Sequence, residues 1–302
     1  MSDIIGNALL DAFERRGYRA VTLDPETVDV TGPDGETWTI NTADWRQEAG
    51  RNSRAELPRL AAEFVQKMTT AFGREKAEID RVLAAGQLRL RIYYEEDLGD
   101  LVDDLVTRPL AAGLLETVVI DYPESLSPLT RETLGDVPEN EAFGAAIRWS
   151  LENEPHYTQD DEIYGIPITH VGEAHRYIGA HLYLLNRHVR QAAPFGALIS
   201  VPIPEYVIIQ VIGTDHHIFG ALEAMQDLAR THYEKGEKPI TPLVYWWRPG
   251  EYERLPEPDA FFSGLGPELL PVGIEVDHED KSVAALTNPT AELIDLWMTS
   301  QQ

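Results

Sequence analysis

Apolar residues recur at helical spacing in some stretches of the chain and at every second position in others. Ile4, Ile5, Leu9, Ala12 and Phe13 mark an amphipathic helix over 3–16, closed by Arg15, Arg16 and Gly17. Val28-Asp29-Val30 and Thr37-Trp38-Thr39-Ile40 flank Gly32-Pro33-Asp34-Gly35, which reads as a hairpin with its turn. From Ser53 to Phe72 the period is helical again, through Leu57, Leu60, Ala61, Phe64, Val65 and Met68. Leu88 to Tyr94 alternates as a strand, and 97–105 reads as a helix ended by Pro109. Thr117 to Ile120 is a short buried strand, 139–151 a helix, and Ile166 to Thr169 a strand. The stripe Ile178, Leu182, Leu185, Val189 predicts one long helix over 173–189.

The next stretch is the clearest. Strands at Ala197 to Ile203 and Tyr206 to Ile212 precede a helix over 216–233 and a strand over 242–247. Such a ββαβ run packs one helix on a small sheet. Beyond Leu255 proline and glycine dominate until Asn288-Pro289, a cap followed by proline at the first helical position, starts a final helix. The fold class is α+β. An N-terminal helix–β-hairpin–helix unit (1–86) precedes an α+β core (87–255) containing a central α/β portion and the ββαβ unit. An irregular C-terminal tail with a final helix (256–302) follows.

Composition narrows the chemistry. Of 302 residues, 51 are acidic and 25 basic, giving a charge of −26, and there is no cysteine. That excludes disulfides, thiolate catalysis and cysteine-held metals. Such a charge disfavours nucleic acid and anionic membrane as partners. Asp3 stands where a secretory leader would carry a basic residue, and the apolar run 197–213 is broken by Pro202, Pro204 and Glu205. The chain is therefore read as cytoplasmic.

Two stretches carry a family likeness. One is Thr117-Val118-Val119-Ile120-Asp121-Tyr122-Pro123-Glu124-Ser125 with Leu129-Thr130-Arg131-Glu132-Thr133-Leu134 after it. The other runs from Ala197 to Pro202, through Val207-Ile208-Ile209, to Gly236-Glu237-Lys238-Pro239-Ile240-Thr241-Pro242-Leu243. Both resemble the YtpQ-like bacterial family, a domain of unknown function. The resemblance covers about Val118 to Leu255, with the tail from Pro256 as an addition. It implies an α+β intracellular bacterial protein and transfers no catalytic residue.

Candidate sites follow from the residues themselves. On one helix His181 and His188 stand about 10.5 Å apart, too far for one ion at bonds of about 2 Å. They are expected to be structural, with His175 pointing elsewhere. Asp215-His216-His217 sits where a strand meets a helix, so His216 or His217 can serve as a neutral base. Asp121, at a strand end, is the carboxylate candidate to accompany them, or simply the first residue of an Asx turn.

The run Glu95-Glu96-Asp97-Leu98-Gly99-Asp100-Leu101-Val102-Asp103-Asp104 holds six acids in ten residues. As a helix it places Asp97, Asp100 and Asp104 on a wet face suited to a basic protein partner. In Tyr245-Trp246-Trp247-Arg248, with Tyr252 beyond, adjacent tryptophans face opposite ways. One exposed tryptophan beside Arg248 would suit a binding hot spot. No nucleophile elbow, phosphate loop or dinucleotide fingerprint occurs, and no metal or cofactor is expected. The leading expectation is a non-catalytic protein-binding or accessory protein. The alternatives are a hydrolase or transferase using His216 or His217 with carboxylates, with or without a divalent ion, and a small-ligand sensor.

Overall fold

The computed structural model describes residues 3–33, 35, 37–72, 79–123, 125–189, 193–214, 217–277 and 279–301. Two compact units emerge, one of residues 1–77 with 123–127 and one of 78–122 with 128–302. Among the described residues no helix is long and apolar enough to cross a membrane.

The first unit holds α1 (Ile4–Glu14), β1 (Arg19–Thr22), β2 (Thr27–Thr31), β3 (Thr37–Asn41), α2 (Ala43–Gly50) and α3 (Leu57–Phe72). Asp3 caps α1 by accepting from the Gly6 amide at 2.9 Å, and also pairs with Arg46. The expected hairpin is β2–β3, and β1 adds a third antiparallel strand. Leu9, Phe13, Val28, Val30, Trp45 and Val65 form its core.

The second unit begins with α4 (Ile79–Ala84), β4 (Leu88–Tyr94), α5 (Glu95–Leu98), β5 (Thr107–Ala111) and β6 (Leu114–Tyr122). Around the unit boundary lies β7 (Ser125–Pro128), followed by α6 (Arg131–Leu134) and α7 (Glu139–Asn153). Then come β8 (Tyr157–Ile163), β9 (Ile166–Gly172), a 3₁₀ segment over Ile178–Leu184 and α8 (Leu185–His188). The remainder is β10 (Ala197–Ile203), β11 (Tyr206–Val211), α9 (Ile218–Lys235), β12 (Val244–Trp247), β13 (Leu269–Val272), β14 (Ile274–Asp277), β15 (Ser282–Ala285) and α10 (Asn288–Ser300). The class is α+β with antiparallel sheets.

A six-stranded antiparallel sheet in the order β13-β12-β10-β11-β9-β8 is the scaffold of this unit. On one face Leu198, Ile208 and Trp246 meet Leu222 and Met225 of α9 and Leu293 of α10. On the other, Ile199, Ile209, Tyr245 and Trp247 meet Ile178, Leu182 and Leu185, with Ile92 and Leu114 of β4 and β6. With both faces covered, the central strands read as unbroken apolar runs. The segment after Pro256 supplies β13 to this sheet and α10 to its face.

Three sequence expectations change here. The acidic run is not one helix. Gly99, at φ +50°, ends α5, and Gly99–Asp103 continues as a 3₁₀ turn. Pro109 ends no helix, because it lies within β5, an edge strand where a missing N–H is tolerated. The helix over 173–189 is absent. Every residue from Ile178 to Leu184 is buried in 3₁₀ turns between the two sheets, and Leu184 (φ −121°, ψ 24°) breaks the path before α8. A Cβ on Gly179 would come within 2.5 Å of Ile92, so the segment lies hard against β4.

Candidate functional site, a histidine-lined cleft

The break at Leu184 folds α8 back and brings His188 to His181, with Nδ1 of His181 3.1 Å from Nε2 of His188. The helical spacing that separated these residues in the sequence reading does not apply. His156, which precedes β8, completes the cluster, its ring centroid 4.2 Å from that of His181 and 6.4 Å from that of His188. No sequence signal marked His156. The three imidazoles come from the α7–β8 connection, the 3₁₀ segment and α8, and only the tertiary fold joins them.

They border a cavity of about 490 Å³, within the range of small-molecule sites. Leu151, Leu184 and Phe261 give it apolar wall, and Thr158, Glu152 and Glu257 add polar groups. Arg187 also lines it and pairs with Glu257. His181 is 3% exposed. Burial, and then the charges of His156, His188 and His175, push its imidazole down to about 3. It is uncharged at neutral pH and offers one N–H and one lone pair. His175 stands apart, donating from Nε2 to the Pro155 carbonyl at 2.6 Å while its Nδ1 accepts from the Tyr177 amide.

Behind this segment lies a buried ionic network. The Glu116 carboxylate, 1% exposed, accepts from Arg108 Nε at 2.7 Å and from the Tyr183 hydroxyl at 2.6 Å. Arg108 also donates to the Tyr183 hydroxyl and lies 4.1 Å over the Phe143 ring. Burial pushes the Glu116 carboxyl up, against the pull of the Arg108 charge. Tyr252 donates its hydroxyl to the Tyr183 carbonyl, so the 3₁₀ segment carrying His181 is pinned from two sides.

The sequence-derived candidates are placed as follows. Asp215 and His216 lie outside the described residues. His217 is exposed at the start of α9, its ring against Phe219 and Trp297. Asp121 is engaged elsewhere, its carboxylate beside the Tyr177 hydroxyl, which burial and then Asp121 push well above its ordinary value.

 Asp121 and His217 therefore serve different parts of the unit. Trp246 and Trp247 are not an exposed edge. Both are 1% exposed because β12 is an interior strand with both faces covered. Their indole N–H groups donate to the Phe195 carbonyl and to Glu253. Arg248 lies 4.2 Å over the Trp246 ring and pairs with Glu292, and Tyr252 is buried in the network described above. Asp97, Asp100 and Asp104 are exposed. Burial and then Glu96 raise the Asp97 carboxyl.

Among the described residues no group of three histidine, aspartate or glutamate side chains is placed to hold a metal ion. No family model, curated protein or solved structure matches the chain.

Proposed function

We propose that this is a small-molecule binding protein whose ligand sits against His156, His181 and His188. The reading rests on one observation, the gathering of three imidazoles from separate elements around a cavity of about 490 Å³. Imidazoles supply donors, acceptors and stacking faces, and the apolar wall supplies desolvation. The likeness to the YtpQ-like family and a cytoplasmic location belong to the same proposal.

The test fills the cavity. Thr158 lines it from an edge strand and is half-buried, so Thr158→Trp adds bulk without removing core. A thermal-shift screen of a metabolite library is run on both proteins. A ligand at 100 times its Kd stabilises by about 2.7 kcal/mol. The expected result is a compound that raises the melting temperature of the wild type and leaves Thr158→Trp unmoved. Shifts that persist unchanged in the variant place the ligand elsewhere.

A second reading keeps the protein-binding expectation. Its support is the exposure of Leu101, at 57%, within the acidic run. An apolar residue ringed by carboxylates suits a partner with a basic surface. Reversing Asp97, Asp100 and Asp104 to lysine is expected to abolish capture of partners bound by the wild type. Retention of the same partners removes this surface from consideration.

A further inference from the structure

The histidine cavity has a neighbour. A second cavity of about 320 Å³ is bounded by Asp160, Pro167, Ile209 and Val211, and His188 lines both. Strand register places the two on the same face of the sheet. Asp160 stands opposite Thr169 and Thr169 opposite Ile209. Thr158, which lines the first cavity, is two residues from Asp160 and so shares its face. The distance between those two positions is about 7 Å along the strand. His188 thus stands where the two cavities meet.

The chemistry along this cleft is ordered. Glu152 and Glu257 flank the histidine end, and Asp160 the other. Between them lie imidazole and the apolar surface of Pro167, Ile209 and Val211. Among the described residues one guanidinium, Arg187, faces the cleft and is already paired with Glu257. Three carboxylates against one guanidinium leave an excess of negative charge, in a chain that carries −26 overall. Asp160 accepts from the Thr169 hydroxyl at 2.7 Å and keeps further acceptor sites. The imidazole of His181, held uncharged by burial, does not repel a cation. A bare metal ion fits poorly, since among the described residues no three donor side chains are placed to hold one and the space far exceeds one ion.

Building on the small-molecule reading above, we propose that the cleft binds a linear aliphatic diamine or polyamine. One ammonium lies at the Glu152/Glu257 end, the methylenes cross the apolar floor beside His188, and a second ammonium reaches Asp160.

Isothermal titration of the full chain at about 0.15 M ionic strength tests this with putrescine, n-butylamine and zinc chloride. Putrescine is expected to bind at least tenfold tighter than butylamine. Asp160→Asn is expected to remove that difference while moving the butylamine Kd less than twofold. Equal affinities for the two amines, an Asp160→Asn variant that keeps the difference, or zinc binding tighter than putrescine at the same site overturns the diamine assignment. Thr158→Trp separates the two levels of the argument. If amines fail but other compounds bind the wild type and not Thr158→Trp, the cleft remains a ligand site and only the diamine is lost. If no compound distinguishes wild type from Thr158→Trp, both proposals fall.

Discussion

Glu116→Ala is expected to cost about 3–5 kcal/mol of folding stability, the range for removing one partner of a buried ion pair. The reason is what remains. Arg108 would keep its charge in a site that is largely closed to water, left with the Tyr183 hydroxyl and the Phe143 ring in place of a carboxylate. At about 2–4 °C per kcal/mol for a body of this size, the melting temperature falls by about 10 °C. Glu116→Gln keeps the shape and an acceptor oxygen, and should lose less. The double variant Glu116→Leu with Arg108→Met leaves no orphaned charge and should recover much of the loss. Chemical denaturation of the four proteins measures this. A loss under about 1 kcal/mol for Glu116→Ala, or a double variant no better than the single one, would show that the network is not coupled as described. Because Tyr183 and His181 share one 3₁₀ segment, Glu116→Ala should also weaken any ligand held by the cleft.

Acid is the second large effect. His181 titrates near 3 in the folded protein and about 6.5 when unfolded. Between those values the unfolded chain binds the extra proton, so stability rises with pH. The contribution is fully present above about pH 6.5 and is lost as pH falls toward 3. At pH 5 the expected loss is about 2 kcal/mol, growing to about 4 kcal/mol near pH 3. His170 and His232 are also lowered, mainly by burial, and act in the same direction. The carboxylates respond to acid as well, so the informative quantity is a difference between variants. His181→Asn keeps a polar atom near the Nδ1 position and cannot titrate. Its stability should fall about 2 kcal/mol less than that of the wild type between pH 7.5 and pH 5. Parallel curves for wild type and His181→Asn would remove His181 from the acid response.

Much of the fold was legible because burial on one side leaves a period. The α7 stripe Phe143, Ala146, Ile147 and Ser150 is buried as its spacing predicts. The run from Ala197 to Trp247 folds as two strands, a helix and a strand, and α10 starts at Asn288-Pro289 with Thr287 as its cap. Strand β8 was missed because it is an edge strand with a mostly exposed, acidic sequence that shows no apolar alternation. Strand β1 is exposed in the same way.

The candidate site was not legible. A stripe at 178, 182, 185 and 189 fits a helix, but Ile178 and Leu182 are buried from two sides in 3₁₀ turns and only Leu185 begins a short helix, so the period carries no information about conformation here. The sequence also cannot distinguish a tryptophan on an edge strand from one on an interior strand. Trp246 and Trp247 became core because β13, from beyond the proline-rich segment, pairs with β12 and closes that edge.

By itself the sequence determined the α+β class, the charge of −26, the absence of thiol chemistry and the elements whose faces differ in polarity. Those properties are local or additive, so they survive without knowing what packs on what. The meeting of His156, His181 and His188, the burial of Glu116 with Arg108, and the adjoining cavities at His188 were decided by the tertiary structure alone. Each depends on a chain reversal or on the packing of separate elements, and such contacts leave no local pattern of polarity from which to read them.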